Sequence, residues 1–288
     1  MNGLTPAEFW DLFWPSLTAS ALAAVLCGAL GTFVVLRRVA FVSAALGQVS
    51  GLGVALGFLV GSLFGVDPHG ETPLYLDPVV MALVLTGALS TVLSVTSRVQ
   101  RTSPESAVAF SYLVAAALAL VALASPRIVQ EAHEVNDLLF GSTVAVRQEH
   151  LVELAVVAVA VLLAGMFYFR DLVFVSFDRE MARTLGLPVK RLEAGLNLAI
   201  GVSVAVATRA VGALPVFGFL VLPAGAALLA SERMGALPFI SAGLAMASAL
   251  AGFYLSYVEN WPTGPLMVLC AAATWPLAWA VQRLTRRG

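Results

Sequence analysis

Between residues 12 and 281 the chain is a succession of apolar stretches, most close to twenty residues long, separated by short polar breaks. They run approximately over 12–36, 39–66, 78–96, 106–124, 151–169, 192–208, 211–230, 235–258 and 264–281. A helix rises about 1.5 Å per residue, so about twenty residues cross the roughly 30 Å hydrocarbon core of a bilayer. Membrane-crossing strands are about ten residues long and alternate in polarity, and no such alternation is sustained here. Lipid offers backbone groups no hydrogen bonds, so each segment must satisfy its own, as a helix does. The sequence therefore predicts an all-α polytopic membrane protein of eight or nine transmembrane helices. Composition agrees: 60% of the 288 residues are hydrophobic and only 11% charged, against about a quarter charged in a soluble domain. An ordinary soluble enzyme and a disordered chain are both excluded.

The count depends on 192–230. Arg209 interrupts that region, and Gly212, Pro215, Gly218, Pro223 and Gly225 follow closely, a pattern expected of a broken or re-entrant helix. With nine crossings, thirteen of the 16 basic residues fall on one side, and only Arg127, Arg147 and Arg209 on the other. The positive-inside rule then places the N-terminus outside and the C-terminus in the cytoplasm. The first stretch is preceded by Glu8 and Asp11 with no basic residue, unlike a signal peptide. The longest polar segments, roughly 125–150 and 170–191, are too short to form a soluble domain. Residues 1–288 are thus expected to form a single membrane domain. No glycine-rich loop ending in Gly-Lys-Ser/Thr is present, so any nucleotide site of that kind belongs to another chain. A net charge of -1 argues against a nucleic-acid partner. The two cysteines, Cys27 and Cys270, lie in apolar stretches and make neither a disulfide framework nor a four-thiolate zinc site.

Within the second stretch, Gly53, Gly57 and Gly61 are four apart and share one helix face. Small residues so spaced let a neighbouring backbone approach, and tight packing is expected there. Gln48 carries two donors and an acceptor into the apolar region. A neighbouring helix or a translocation path can satisfy them, and the same choice stands for Asn197. Arg209 is costly inside a bilayer and is expected to snorkel to the outer interface. His69, His133 and His150 fall in predicted outer loops. His69 has Asp67 and Glu71 nearby, and His133 lies between Glu131 and Glu134; solvated loops ordinarily carry such residues, and neither cluster is assigned as a metal site.

The inner segment from Ser176 to Pro188 predicts a short surface helix. Ser176 or Asp178 can cap its start and Gly186 can end it. Its small apolar face suits a groove on a soluble partner better than a lipid surface.

Taken together, the stretches Gly31–Arg38 (GTFVVLRR), Leu138–Ser142 (LLFGS), Val173–Pro188, Val211–Leu214 (VGAL), Leu220–Ala224 (LVLPA) and Pro262–Pro265 (PTGP) resemble the membrane permease of bacterial zinc/manganese-type ABC importers, the ABC-3 family. The likeness runs from about residue 16 to 282. It implies a permease homodimer in the bacterial plasma membrane, each copy docking an ABC ATPase through the inner-loop coupling helix. Here that helix would run from Asp178 to Gly186, with Asp178, Ala182 and Gly186 on the matching positions. An extracytoplasmic metal-binding protein would deliver the cargo. ATP would be used by the partner, with no catalytic site and no bound cofactor in this chain.

One departure bears on the cargo. Family members typically carry Asp and His four residues apart on the second span, where one helix face would present both to a passing cation. The Asp position is Ala44 here and the His position is Gln48. Ala44 has no ligand atom and Gln48 offers only a neutral carbonyl oxygen. The usual Asp ahead of Pro-x-Gly-Pro is altered too, with Glu259, Asn260 and Trp261 preceding Pro262. An importer of zinc or manganese with weak ligands is the favoured expectation; a permease for a chelated metal or other small solute, and a non-transport membrane scaffold, are the alternatives. A secondary transporter would be expected to carry carboxylates within its spans, whereas Glu153 and Glu193 lie near boundaries. If Gln48 lines the path, Gln48→Ala alters metal uptake while membrane expression persists; unchanged transport kinetics would remove Gln48 from it.

Overall fold

The computed structural model describes residues 6–37, 39–63, 77–96, 104–123, 148–259 and 261–285. Among these residues the chain is helical apart from short connections, with no strand. The helices are α1 (Pro6–Leu36), α2 (Ala40–Leu63), α3 (Pro78–Thr96), α4 (Pro104–Leu123), α5 (Gln148–Phe167), α6 (Phe169–Phe177), α7 (Arg179–Thr184), α8 (Val189–Val211), α9 (Ala213–Ala230), α10 (Leu237–Glu259) and α11 (Thr263–Thr285). Seven of them (α1, α2, α5 and α8 to α11) are long and apolar enough to cross a bilayer, while α3 and α4 carry shorter apolar runs, Val80–Val92 and Ser106–Ala122. These nine follow the nine predicted stretches in order.

The region 192–230 contains two helices of spanning length, broken only at Gly212. That residue has φ 90° and ψ 157°, a conformation L side chains rarely adopt. Its N–H donates to the Thr208 carbonyl (2.8 Å) and its carbonyl accepts from the Val216 N–H (3.3 Å), so one residue serves both helix ends. The other prolines and glycines do not interrupt α9, contrary to the expected re-entrant segment. Pro215 sits in the first turn, where a helical N–H has no partner to lose. Gly218 and Gly225 make room for α11 instead. A Cβ on Gly218 would come within 3.0 Å of Val268, and one on Gly225 would collide with the Trp275 indole. The Trp275 Nε1–H donates to the Leu222 carbonyl (2.8 Å) beside Pro223.

Helix α1 is the hub. It packs against α10 and α9 and also touches α5 and α8, and its buried face mixes small residues (Ala19, Ala23, Ala24 and Cys27) with larger ones such as Leu26, Leu30 and Phe33. Lipid tails are as apolar as leucine, so helices here associate through close fit and hydrogen bonding rather than through a hydrophobic drive. The crossings show it. Gly28 lies against α10, where the Ser241 hydroxyl donates to the Gly28 carbonyl (2.6 Å), and Gly31 lies against the Leu220 backbone of α9. Helices α2, α3 and α4 pack mainly on one another; α3 meets the rest through α8, and α2 through α8 and α9.

The glycine stripe of α2 is tight at two of its three positions. Cβ atoms on Gly53 and Gly57 would strike the backbone at Ala82 and Pro78 of α3, whereas one on Gly61 would meet nothing within 4 Å. Gly53→Ala is therefore expected to destabilise the bundle by about 1–3 kcal/mol through overpacking against an unyielding backbone. Gly61→Ala is expected to be neutral, or stabilising by up to about 1 kcal/mol through alanine's helix propensity. Thermal unfolding of the two variants in detergent separates them; equal shifts would contradict the packing described.

Candidate functional site

Ala44 and Gln48 lie one turn apart on α2, both half-buried. Between them Gly47 faces the start of α9, where its Cβ would come 3.5 Å from the Ala213 Cβ. This part of α2 therefore lies beside the break at Gly212. Gln48 makes no hydrogen bond among the described residues. Nor do the fully buried hydroxyls of Ser50 on α2 and of Ser203 and Thr208 on α8. Other hydroxyls are satisfied within their own helices, such as Ser43 to the Ala40 carbonyl (2.6 Å) and Thr86 to Ala82 (2.6 Å), as lipid-embedded hydroxyls commonly are. Among the described residues no group of three or more His, Cys, Asp or Glu could hold a metal. What this region offers a cation is neutral oxygen. His69, His133 and Asn260 lie outside the described residues. Glu259 is exposed, and the following turn is held by Ser256, which donates to the Trp261 carbonyl (2.6 Å) and pairs with the Thr263 hydroxyl (2.9 Å).

Charged residues gather at two places near helix ends. At the first, Arg209 does not snorkel. It is only 12% exposed, with Nη1 2.9 Å from Glu153 Oε2 and Nη2 3.3 Å from His150 Nδ1. The expectation placed His150 in a loop, but it lies in α5. One turn of that helix thus presents an imidazole and a carboxylate to a guanidinium of α8, and pairing replaces the reach for water.

The second place is built around α7. Asp178 caps this helix: its Oδ1 accepts from the Glu180 N–H (3.0 Å) and the Met181 N–H (2.9 Å). Ser176, the other candidate cap, donates back to the Leu172 carbonyl instead (2.6 Å). At the far end Gly186 has φ 80°. The Leu187 N–H reaches the Ala182 carbonyl (3.1 Å) and the Gly186 N–H reaches Arg183 (3.1 Å), the paired bonds of a Schellman ending. Ala182 is fully buried, clustered with Val175 and Val189. The three positions singled out in the sequence thus start, seat and end the helix. Glu180, Met181, Arg183, Thr184 and Leu185 are left exposed.

Beneath α7 lies a group of residues that sequence reading did not bring together. Glu193, on α8, has a side chain only 6% exposed, with Oε1 3.4 Å from Arg37 Nη2 and Oε2 paired with Arg179. Arg37 Nη1 also donates to Asn197 Oδ1 (3.4 Å), and the Asn197 carbonyl accepts from the Ser90 hydroxyl of α3 (2.8 Å). Asn197 is thus engaged at this end of the bundle. Burial draws the Arg37 guanidinium below its ordinary pKa, Glu193 pulls it back up and Arg179 presses it down again. If Asp178 frames α7 as described, Asp178→Ala costs about 1 kcal/mol of local stability, about a five-fold rise in amide exchange at Glu180 and Met181, while Asp178→Asn keeps the cap. Hydrogen exchange read by mass spectrometry checks this, and equal exchange in both variants would contradict it.

The profile of the ABC 3 transport family matches residues 10–282. The chain is 26% identical over 264 residues to the manganese transport system membrane protein MntC of Halalkalibacterium halodurans, covering 91% of this chain and 85% of that one. It is 27% identical over 256 residues to the manganese import system permease protein ScaB of Streptococcus pneumoniae, covering 89% and 85%. Among solved structures, a chain of PsaBC from Streptococcus pneumoniae, in complex with Fab, has the same fold, with a TM-score of 0.80 at 22% identity over 99% of this chain and 100% of that one. On a match that takes in every helix from α2 to α10 and most of α1 and α11, this chain belongs to the ABC 3 transport family.

Proposed function

We propose that this chain is the permease subunit of an ATP-driven importer for a divalent metal, manganese ahead of zinc, working by alternating access. The observation that carries the proposal is α7, a helix fixed at both ends and seated on Ala182, which leaves Glu180, Met181, Arg183 and Thr184 exposed. Such an exposed helix, set between the spanning helices α5 and α8, suits a groove on a soluble ATPase. Asp178, Ala182 and Gly186 serve that docking by shaping the helix. ATP is bound and hydrolysed on the partner, and this chain contributes neither catalytic site nor cofactor. Residues 1–288 act as one unit in the bacterial plasma membrane, with α7 and the C-terminus cytoplasmic and the N-terminus outside, as the distribution of basic residues favours. A second copy completes the pathway, and an extracytoplasmic binding protein delivers the ion.

Manganese is favoured over zinc for two reasons. The relatives just described carry manganese in their names. In addition, replacing imidazole by the Gln48 amide leaves oxygen donors, which suit manganese better than zinc. Weak ligands also release what they bind. Ala44 supports a second reading, in which the cation enters already chelated and needs no carboxylate from α2.

Two measurements test the proposal. Whole-cell metal content is compared by elemental mass spectrometry between a deletion strain and its complemented partner, grown with manganese and then zinc limiting. A manganese deficit that complementation restores is expected. Equal metal content with the protein expressed would overturn the metal reading. The chain purified from its native membrane is also expected to bring an ABC ATPase with it, and Gly186→Val, which strains the end of α7, to bring less.

A further inference from the structure

Helix α7 has few ties to the membrane-embedded bundle. It is joined through the chain to α6 and α8, Ala182 is seated beneath it, and one of its side chains, Arg179, forms an ion pair with the buried Glu193 of α8. Glu193 holds a second guanidinium at the same time, that of Arg37 at the end of α1. Through Asn197 and Ser90 the contacts continue to α3. A single buried carboxylate therefore stands where the α7 connection meets α1, α3 and α8.

The two arms described on that carboxylate, Arg37 and Arg179, differ. Arg37 is 14% exposed and Arg179 43% exposed. A buried carboxylate stripped of every partner is strongly disfavoured. If Arg179 leaves, its half-exposed guanidinium is rehydrated at little cost, Glu193 stays paired with Arg37, and the repulsion between the two arginines is relieved. The Arg179 arm can thus open and close while the Arg37 arm keeps the fold intact. An element with two such arrangements is what a displacement at one site needs in order to bias another.

We infer that Glu193 is a positioning residue that transmits movement of α7 to α1, α3 and α8, with Arg179 as its releasable arm and Arg37 as its fixed one. This rests on the proposal that α7 docks an ATPase. The Arg179 arm is needed for transport and not for assembly.

The test uses the permease purified together with its co-purifying ATPase and reconstituted in liposomes, with Mn2+ and Mg-ATP supplied. Manganese uptake and ATP hydrolysis are read in the same vesicles for the parent, Arg179→Gln and Arg179→Lys. Arg179→Gln is expected to retain the ATPase and its hydrolysis, but to move about ten-fold less manganese per ATP, a typical size for a lost coupling. Arg179→Lys keeps the charge and is expected to restore most of that ratio. Glu193→Gln loosens both arms, and is expected to raise amide exchange in α8 as well as α7, whereas Arg179→Gln raises it in α7 alone. A parent-like ratio in Arg179→Gln overturns the inference, as does equal impairment in Arg179→Lys. Loss of the ATPase from Arg179→Gln would make Arg179 a docking residue and also overturn it. A parent chain that retains no ATPase and moves no manganese removes the functional proposal and this inference with it, a result seen before any variant is compared.

Discussion

Hydrocarbon gives helices no reason to cluster other than fit, and this bundle is organised around that constraint. Water is absent as a hydrogen-bond partner, so each segment satisfies its own backbone and remains helical even where proline and glycine are dense. Leucine packed on leucine gains little over leucine packed on lipid. Close crossings therefore occur where side chains are smallest. Gly28 and Gly31 bring α10 and α9 onto α1, Gly53 and Gly57 bring α3 onto α2, and Gly252 brings the Met267 backbone of α11 onto α10. Large apolar side chains such as Phe110, Leu113, Val156 and Leu163 are left on the outside, as a lipid-facing surface requires.

The same constraint sorts the polar residues. Among the described residues, the ion pairs lie near helix ends: Arg209 with Glu153, and Glu193 with Arg37 and Arg179. Further into the helices the buried and half-buried polar groups described are neutral, among them the Gln48 amide and the hydroxyls of Ser50 and Ser203. A pathway lined this way would present a cation with weak oxygen ligands and leave selectivity to partial dehydration and geometry. A permease fed by a binding protein can work with such ligands, because capture has already taken place elsewhere.

Much of this was legible in the chain. The apolar lengths and the Asp178 to Gly186 helix follow from local rules, because a span needs only enough consecutive apolar residues and a cap needs only an acceptor two or three residues before its donors. Even the Gly212 break could be suspected locally. What could not be read was how the remaining glycines and prolines of that region behave, because Gly218 and Gly225 are explained only by Val268 and Trp275, some fifty residues away. Arg209 was misjudged for a similar reason, since its partners lie on another helix.

The sequence alone determined that this is a multi-helix membrane protein, and roughly where its helices begin and end. Each of those depends on residues close together in the chain. Only the tertiary structure decided that Arg37, Arg179, Glu193, Asn197 and Ser90 form one network. Helix periodicity shows which residues share a face, but not which face of which helix comes to lie opposite. That is settled when all the close crossings are satisfied at once, and it is why a glutamate that looked like a boundary residue is the buried partner of two arginines.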